Sequence, residues 1–206
     1  RTKSRGLGDV YKRQIFNLFN NNQGIYLVGG CIRDTLSGKE VTDIDFAIDI
    51  DPEEVVKTLS NNNIKFYDIG INYGTVTAVI DTKNYEITSL REDIETDGRH
   101  AKVKYTSDIK ADSLRRDFTI NAIYANRDGE LFDFHNGIDD IENRNLKFIG
   151  SANDRVKEDY LRILRYFRFY ADFSNFEIDA NLKKVFKEGS KNFSKISKER
   201  IWSELK

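Results

Sequence analysis

The chain has 206 residues, 39% hydrophobic and 33% charged, enough for one large domain or one domain plus part of another under a heavily charged surface. Its formal net charge of −1 excludes a uniformly basic nucleic-acid binder and leaves any such role to a local patch. The single Cys31 excludes an internal disulfide framework and fits a reducing compartment, so a cytoplasmic location is expected; no apolar run approaches the roughly 20 residues of a membrane span.

The opening, RTKSRGLGDVYKRQ, lacks the apolar segment of a signal peptide. Its end, DVYKRQ, resembles the in-frame translation of a transposase adapter. Residues 1–14 are therefore expected to be a non-native leader, an ordinary disordered leader being the alternative. Residues 15–22 read as a short amphipathic helix, with Ile15, Phe16, Leu18 and Phe19 apolar. Residues 25–28 read as a buried strand broken by Gly29-Gly30, and 31–37 as a short helix stopped at Gly38. A strand is expected over 44–50, then a helix over 51–61 with Pro52 at its first position and acids in its first turn.

Strand signals follow at 65–69, 74–80 and 84–89, the last two joined by a tight turn at 81–84. Residues 91–107 are polar and aperiodic and predict a mobile loop, which includes His100. A helix is expected over 111–124, with Leu114, Phe118 and the block 120–123 supplying its apolar surface. A turn at NRDGE leads into a short strand at 131–134, and from Asp154 the pattern is helical apart from a polar break near Ser174 and Asn175. The chain ends at RIWSELK inside a helical pattern, so it reads as a fragment at both ends. The order predicts an α/β (α+β) protein: a mixed sheet flanked by helices over 15–150, then an all-helical, truncated unit over 151–206.

The chemistry concentrates in YLVGGCIRDTLSGKEVTDIDFAI, residues 26–48. On a strand, Asp43 and Asp45 project to one face, with Cα atoms roughly 6–7 Å apart. Two bare carboxylates side by side are costly, and a divalent cation or a pair of them is the natural compensation. A half-exposed strand with polar residues outward is the plainer reading of the pair alone. Gly29 and Gly30 lie between strand and helix, where backbone N–H groups approach a phosphate closely, and Arg33 stands one turn on, within reach of a phosphate oxygen. Otherwise the glycines are a turn and Arg33 pairs with Asp34. Together the parts point to a metal-bound nucleotide. No Gly-x-x-x-x-Gly-Lys-[Ser/Thr] sequence occurs, which disfavours a P-loop enzyme.

Four stretches occur in order: LVGGCIRDTLSGKEVTDIDF, RRDFTINAIY, LFDFHNGIDDIENRNLKFIG and EDYLRILRYFRFYADF. They resemble motifs A to D of the class II tRNA nucleotidyltransferase and bacterial poly(A) polymerase family, and ISKERIWSEL is similar to its motif E. The resemblance implies a nucleotidyltransferase head and the beginning or most of a helical neck. It implies that Gly30 and Arg33 contact the incoming nucleoside triphosphate, with Gly29 beside them, and that Asp43 and Asp45 are catalytic and bind magnesium. It also implies that Arg116 contacts the nucleotide, with Asp117 and Asn121 orienting ribose and triphosphate. Without it, Arg115-Arg116-Asp117 reads as a surface charge cluster.

In EDYLRILRYFRF, Asp159, Arg162, Arg165 and Arg168 recur every three residues and form a slanted ridge on a helix. Asp159 accepts and the Arg162 fork donates, so the pair can mimic a base edge. The resemblance implies that it selects C or A; an i,i+3 surface salt bridge is the plainer reading. Arg165 and Arg168 are expected at phosphate or stacked bases, one of them being structural. Tyr160 departs from the proline many members carry, and Cys31 from a small aliphatic residue; neither removes a group the mechanism needs. His135 is expected to be structural. The activity implied is addition of CCA to the tRNA 3′ end from CTP and ATP. The alternatives are a poly(A) polymerase, a partial CC- or A-adding enzyme, and a catalytically silent nucleotide-binding domain. A third active-site carboxylate is not assignable from the sequence.

Overall fold

The computed structural model describes residues 13–19, 24–97, 100–173 and 177–205, with side chains left out at 95–97 and 100–102. Most of the leader and the polar break at 174–175 thus lie outside the described residues. The helical stretch 13–18 (α1) lays Ile15 and Phe16, with Phe19 just beyond, into the core. β1 (Ile25–Val28) leads through Gly29 into α2 (Gly30–Leu36), followed by β2 (Asp45–Ile48) and α3 (Pro52–Asn61). β3 (Lys65–Tyr67), β4 (Thr75–Ile80) and β5 (Lys83–Ser89) form a meander. Ile80 pairs with Lys83 across Asp81 and Thr82, both at positive φ, the backbone of a type I′ hairpin turn.

β6 (Arg91–Asp97) and β7 (His100–Tyr105) follow, then α4 (Ile109–Leu114), β8 (Ile123–Ala125), β9 (Leu131–Asp133) and α5 (Gly137–Glu142). Four helices complete the chain: α6 (Ala152–Glu158), α7 (Leu161–Phe173), α8 (Ala180–Ser190) and α9 (Lys198–Leu205). The main sheet has seven strands in the order β3-β4-β5-β2-β1-β8-β9. It is mixed, because β2 and β5 run parallel while its other pairs are antiparallel.

The structure corrects three of the expected elements. The loop foreseen over 91–107 is a two-stranded antiparallel sheet, β6 against β7, with an irregularity between Asp93 and Glu95. Its two polar strands satisfy each other's backbone, so no apolar alternation is needed to hold them. The helix foreseen over 111–124 stops at Leu114, which is exposed, and the apolar block supplies a 3-10 turn and then β8. There Ile123 and Tyr124 are buried in the sheet, where β-branched and aromatic residues pack well. The strand foreseen over 44–50 is only Asp45–Ile48, so Asp43 lies before it, exposed.

The buried apolar residues described form three clusters, two of them large. On one sheet face, Phe46, Ile48, Val76, Ala78, Tyr85 and Ile87 pack against Val55 and Leu59 of α3 and the apolar side of α1. A second core joins Cys31 and Ile32 of α2, Phe118 and Ile123 to Val156, Ile163, Tyr166, Phe169 and Phe186 of the helices beyond residue 150. Phe118 and Phe148 form a β-bridge there and pack ring to ring at 4.7 Å, and Phe148 stacks on Tyr166 of α7 at 5.6 Å, joining the sheet region to the helical one.

Candidate active site

Gly29 ends β1 at φ 77°, ψ −132°, a conformation that L side chains rarely adopt. A Cβ there would stand 3.8 Å from Nη1 of Arg116 and 3.9 Å from Oδ2 of Asp45. The turn therefore brings bare backbone up to a carboxylate and a guanidinium at once. Arg33 follows one turn into α2. Its Nε and Nη2 donate to the two oxygens of Asp34, and its Nη1 donates to Oδ1 of Asn121 at 2.8 Å. Phe169 and Phe173 of α7 lie against it, with ring centroids 4.8 and 5.7 Å from its guanidinium carbon. The plain pairing with Asp34 and the reach into the site thus coexist.

Asp45 starts β2 and sits in register with Glu86 on β5. Burial, reinforced by Glu86 and by Asp43, pushes its carboxyl up to about 6 against the opposing pull of Arg116. Glu86 is the acidic residue the sequence reading did not assign. Its signal was present, an exposed acid between buried Tyr85 and Ile87, but its place beside Asp45 depends on a parallel pairing of distant strands. Among the described residues, no group of three or more His, Cys, Asp or Glu is gathered tightly enough to hold a metal.

Arg116 is set by its surroundings rather than free on a surface. Its Nε donates to the Tyr124 hydroxyl at 2.9 Å and its Nη2 to Asp112 at 3.3 Å, with Tyr124 donating to Asp112 at 2.6 Å. Asp112 also accepts from Arg115 and from the backbone of Arg91. Burial alone would raise this carboxyl; Arg115, Arg116 and the Tyr124 hydrogen bond hold it below the usual range. Burial and the neighbouring Arg115 lower Arg91 to about 10. The spacing of Asp112 three and four residues before Arg115 and Arg116 was legible in the sequence, but its burial was not, because a helix of six residues gives no clear inward face.

A chain of polar contacts runs on from Asn121. Its side chain donates to Oδ1 of Asp117 at 3.4 Å, and the other oxygen of Asp117 accepts from Arg165 at 2.9 Å. Burial would raise Asp117, yet Arg165 holds it low. Arg165 also grips Glu204 of α9 through Nε and Nη2, and Arg168 reaches the other Glu204 oxygen at 3.3 Å. Asp159 and Arg162 do not share a helical ridge, which corrects the expectation. Asp159 is the extended residue between α6 and α7; its Oδ1 accepts from the Leu161 amide and its Oδ2 from Arg200 at 2.7 Å. Arg162 bonds to Glu158 and to the carbonyl of Arg155. His135 meets Ser113 at 2.8 Å, while the side chain of His100 lies outside the described residues. A cavity of about 480 Å³ beside α8, lined by Phe148, Tyr166, Asp179 and Leu182, includes none of these acids or arginines.

Acids at a strand start, a glycine turn against them and arginines from α2 and the segment after α4 thus come together at one end of the sheet, a donor and acceptor set able to meet a phosphate. Residues 25–147 match the family model described as the poly A polymerase head domain, and the chain belongs to that family. The CCA tRNA nucleotidyltransferase 1, mitochondrial, of Danio rerio is 40% identical over 204 residues, 98% of this chain and 46% of that protein. The Homo sapiens protein of the same name is 43% identical over 188 residues, 90% of this chain and 43% of that protein. Among solved structures, the Bacillus stearothermophilus CCA-adding enzyme in complex with CTP superposes with a TM-score of 0.80 at 29% identity, covering 94% of this chain and 47% of that one. The chain spans about half the length of the relatives it matches. No helix among the described residues is long and apolar enough to cross a membrane.

Proposed function

We propose that this chain is the catalytic part of a template-independent nucleotidyltransferase that adds CCA to the 3′ end of tRNA from CTP and ATP. The observation that carries the reading is the 40% identity across 98% of the chain with a CCA tRNA nucleotidyltransferase. The division we propose is a nucleotidyltransferase head over 15–150 and a helical neck over 151–206, sharing one core. The compartment we propose is the cytoplasm, on the strength of the lone buried cysteine, although both vertebrate relatives are named mitochondrial.

In the reaction, the 3′-hydroxyl oxygen bonds to the α-phosphorus of CTP or ATP. The bond from that phosphorus to the bridging oxygen breaks and pyrophosphate leaves. The Gly29–Gly30 turn, Arg33 and Arg116 hold the triphosphate, with Asp117 and Asn121 fixing the position of Arg33 and the ribose. Glu86, exposed beside Asp45, accepts the hydroxyl proton. Asp159 and Arg162 read the base, and Arg165 and Arg168 stand toward phosphate or stacked bases.

Nucleotidyltransferases of this kind generally use a divalent metal. The residues fit magnesium: the donors are all oxygen, and Asp45 carries excess negative surroundings that a cation relieves. A pair of protein carboxylates, Asp43 and Asp45, is the usual protein share for that ion, with substrate phosphate and water completing it. When bound, it supplies charge neutralisation at the phosphates and a more acidic hydroxyl.

The family model's own description favours a poly(A) polymerase as the second reading. A tRNA lacking its terminal CCA, incubated with CTP alone, ATP alone or both, separates the two. CCA addition gives two residues with CTP and a stop after three with both. Long tails with ATP alone mean a poly(A) polymerase, and a stop after CC or a need for preformed CC means a partial enzyme. No product in any arm leaves a catalytically silent domain.

A further inference from the structure

One face of the main sheet changes character on either side of Asp45. Toward β1 and β8 it is closed by buried Val28 and Tyr124, with Leu90 packed against them from just past the end of β5. Toward β3 it is open. Asp45 lies in register with Glu86, Glu86 with Thr77, and Thr77 with Tyr67. Residues paired across strands share a face, so these four side chains form one row. Thr75 and Thr88 form the row on one side of it, their hydroxyls 3.0 Å apart, and Lys65 stands opposite Val79 in the row on the other side. Glu86, Lys65 and Tyr67 are exposed, Tyr67 at 45%, while the intervening Val76, Ala78, Tyr85 and Ile87 are buried on the other face.

The chemistry says what approaches from this side. The triphosphate cradle at Gly29, Arg33 and Arg116 lies on the β1 and β8 side of Asp45. An in-line displacement puts the attacking hydroxyl on the far side of the α-phosphorus from the departing pyrophosphate, which is the β5 side. The strand carrying that hydroxyl then crosses β5 and β4 toward β3. Tyr67 stands three strands from Asp45, about 14 Å at ordinary strand spacing, a distance that a few single-stranded nucleotides bridge. Lys65 Nζ is 5.3 Å from the Tyr67 ring centroid, so a cation and an aromatic plane are presented together. That pairing suits single-stranded RNA, with a base on the ring and its phosphate on the ammonium.

Resting on the nucleotidyltransferase reading above, we propose that the open face of β3, β4 and β5 seats the last few nucleotides of the RNA being extended. Tyr67 is the stacking platform and Lys65 a phosphate contact. Stacking reads no base edge, which suits a primer whose terminal bases change as it grows. The test uses Tyr67→Ala, Tyr67→Phe and Lys65→Ala in the full-length protein, with a tRNA lacking its CCA as the probe. Affinity for that RNA is measured by fluorescence anisotropy across a salt series, and KM for RNA and for CTP in addition assays. Tyr67→Ala should weaken RNA binding about tenfold or more and raise the RNA KM alike, with the CTP KM unmoved and Tyr67→Phe near wild type. Lys65→Ala should flatten the salt dependence by about one phosphate contact. Unchanged RNA affinity in Tyr67→Ala, or RNA and CTP KM rising together, would overturn the seat. If the wild type adds no nucleotide but Tyr67→Ala still loses RNA affinity, the catalytic reading fails and the seat stands.

Discussion

If Asp45 is catalytic, folding and function pull in opposite directions there. Its side chain is drawn out of water beside Glu86 and Asp43, which raises its carboxyl to about 6. A carboxyl raised above its unfolded value favours the native state while protonated. Its contribution is full below roughly pH 4 and is lost as pH rises through about 6. Metal-free protein at neutral pH therefore carries a penalty of about 2–3 kcal/mol from this group. Asp45→Asn should abolish nucleotide addition and yet, in EDTA at pH 7.5, melt at a higher temperature than wild type. That difference should shrink as the pH falls toward 4, and thermal melts between pH 4.5 and 7.5 read it directly. A variant less stable than wild type at every pH would show that the Asp45 environment does not carry uncompensated negative charge.

Helix α8 shows how packing overrides propensity. Gly189, near its C-terminal end, is buried, and a Cβ there would meet Cγ1 of Val156 at 2.6 Å and Cδ1 of Ile163 at 2.7 Å. Glycine to alanine in a helix ordinarily gains up to about 1 kcal/mol. Here Ile163 can turn its terminal methyl aside, but Val156 is branched at Cβ and cannot. Overpacking at about 1–3 kcal/mol outweighs the gain, so Gly189→Ala should lower the stability seen in urea unfolding. Other elements were plain from sequence because their signals are local: the glycine break after β1, Pro52 opening α3, the hairpin turn at Asp81-Thr82. The run Phe118–Ala125 was not, since apolar residues at 118, 120, 122 and 123 suit either period. Glu86 beside Asp45, and Asp112 under Arg116, were hidden for another reason. Asp45 and Glu86 come from strands distant in sequence; Asp112 lies only three and four residues before Arg115 and Arg116, but its burial by Tyr124 and the Arg91 backbone is encoded by no local pattern.

Across the whole molecule, the helical region contributes side chains to the site rather than merely following it. The path Arg33–Asn121–Asp117–Arg165–Glu204 runs without a break from α2 to α9. At the meeting of α6, α7 and α9, Asp159 is held by Arg200 and Arg162 by Glu158. If Asp159 and Arg162 read the base, these two outer partners aim them, and removing one should disturb choice of nucleotide before chemistry. Asp159→Ala takes away a hydrogen bond to a charged group, worth about 1.5–3 kcal/mol, or roughly ten- to a hundredfold in selectivity. Arg200→Ala leaves Asp159 present but unaimed, so its loss of selectivity should go the same way and be smaller. A salt bridge that only joins helices makes a different forecast: base choice unchanged and stability lower by no more than about 1 kcal/mol, since Arg200 and Asp159 are 35% and 27% exposed. Competition among CTP, ATP, UTP and GTP in the full-length variants distinguishes the two. UTP and GTP incorporation rising in Asp159→Ala and, less steeply, in Arg200→Ala is the expected result. Unchanged preference in both variants, with only their melting temperatures lowered, would leave the junction a brace between helices and base selection to other residues.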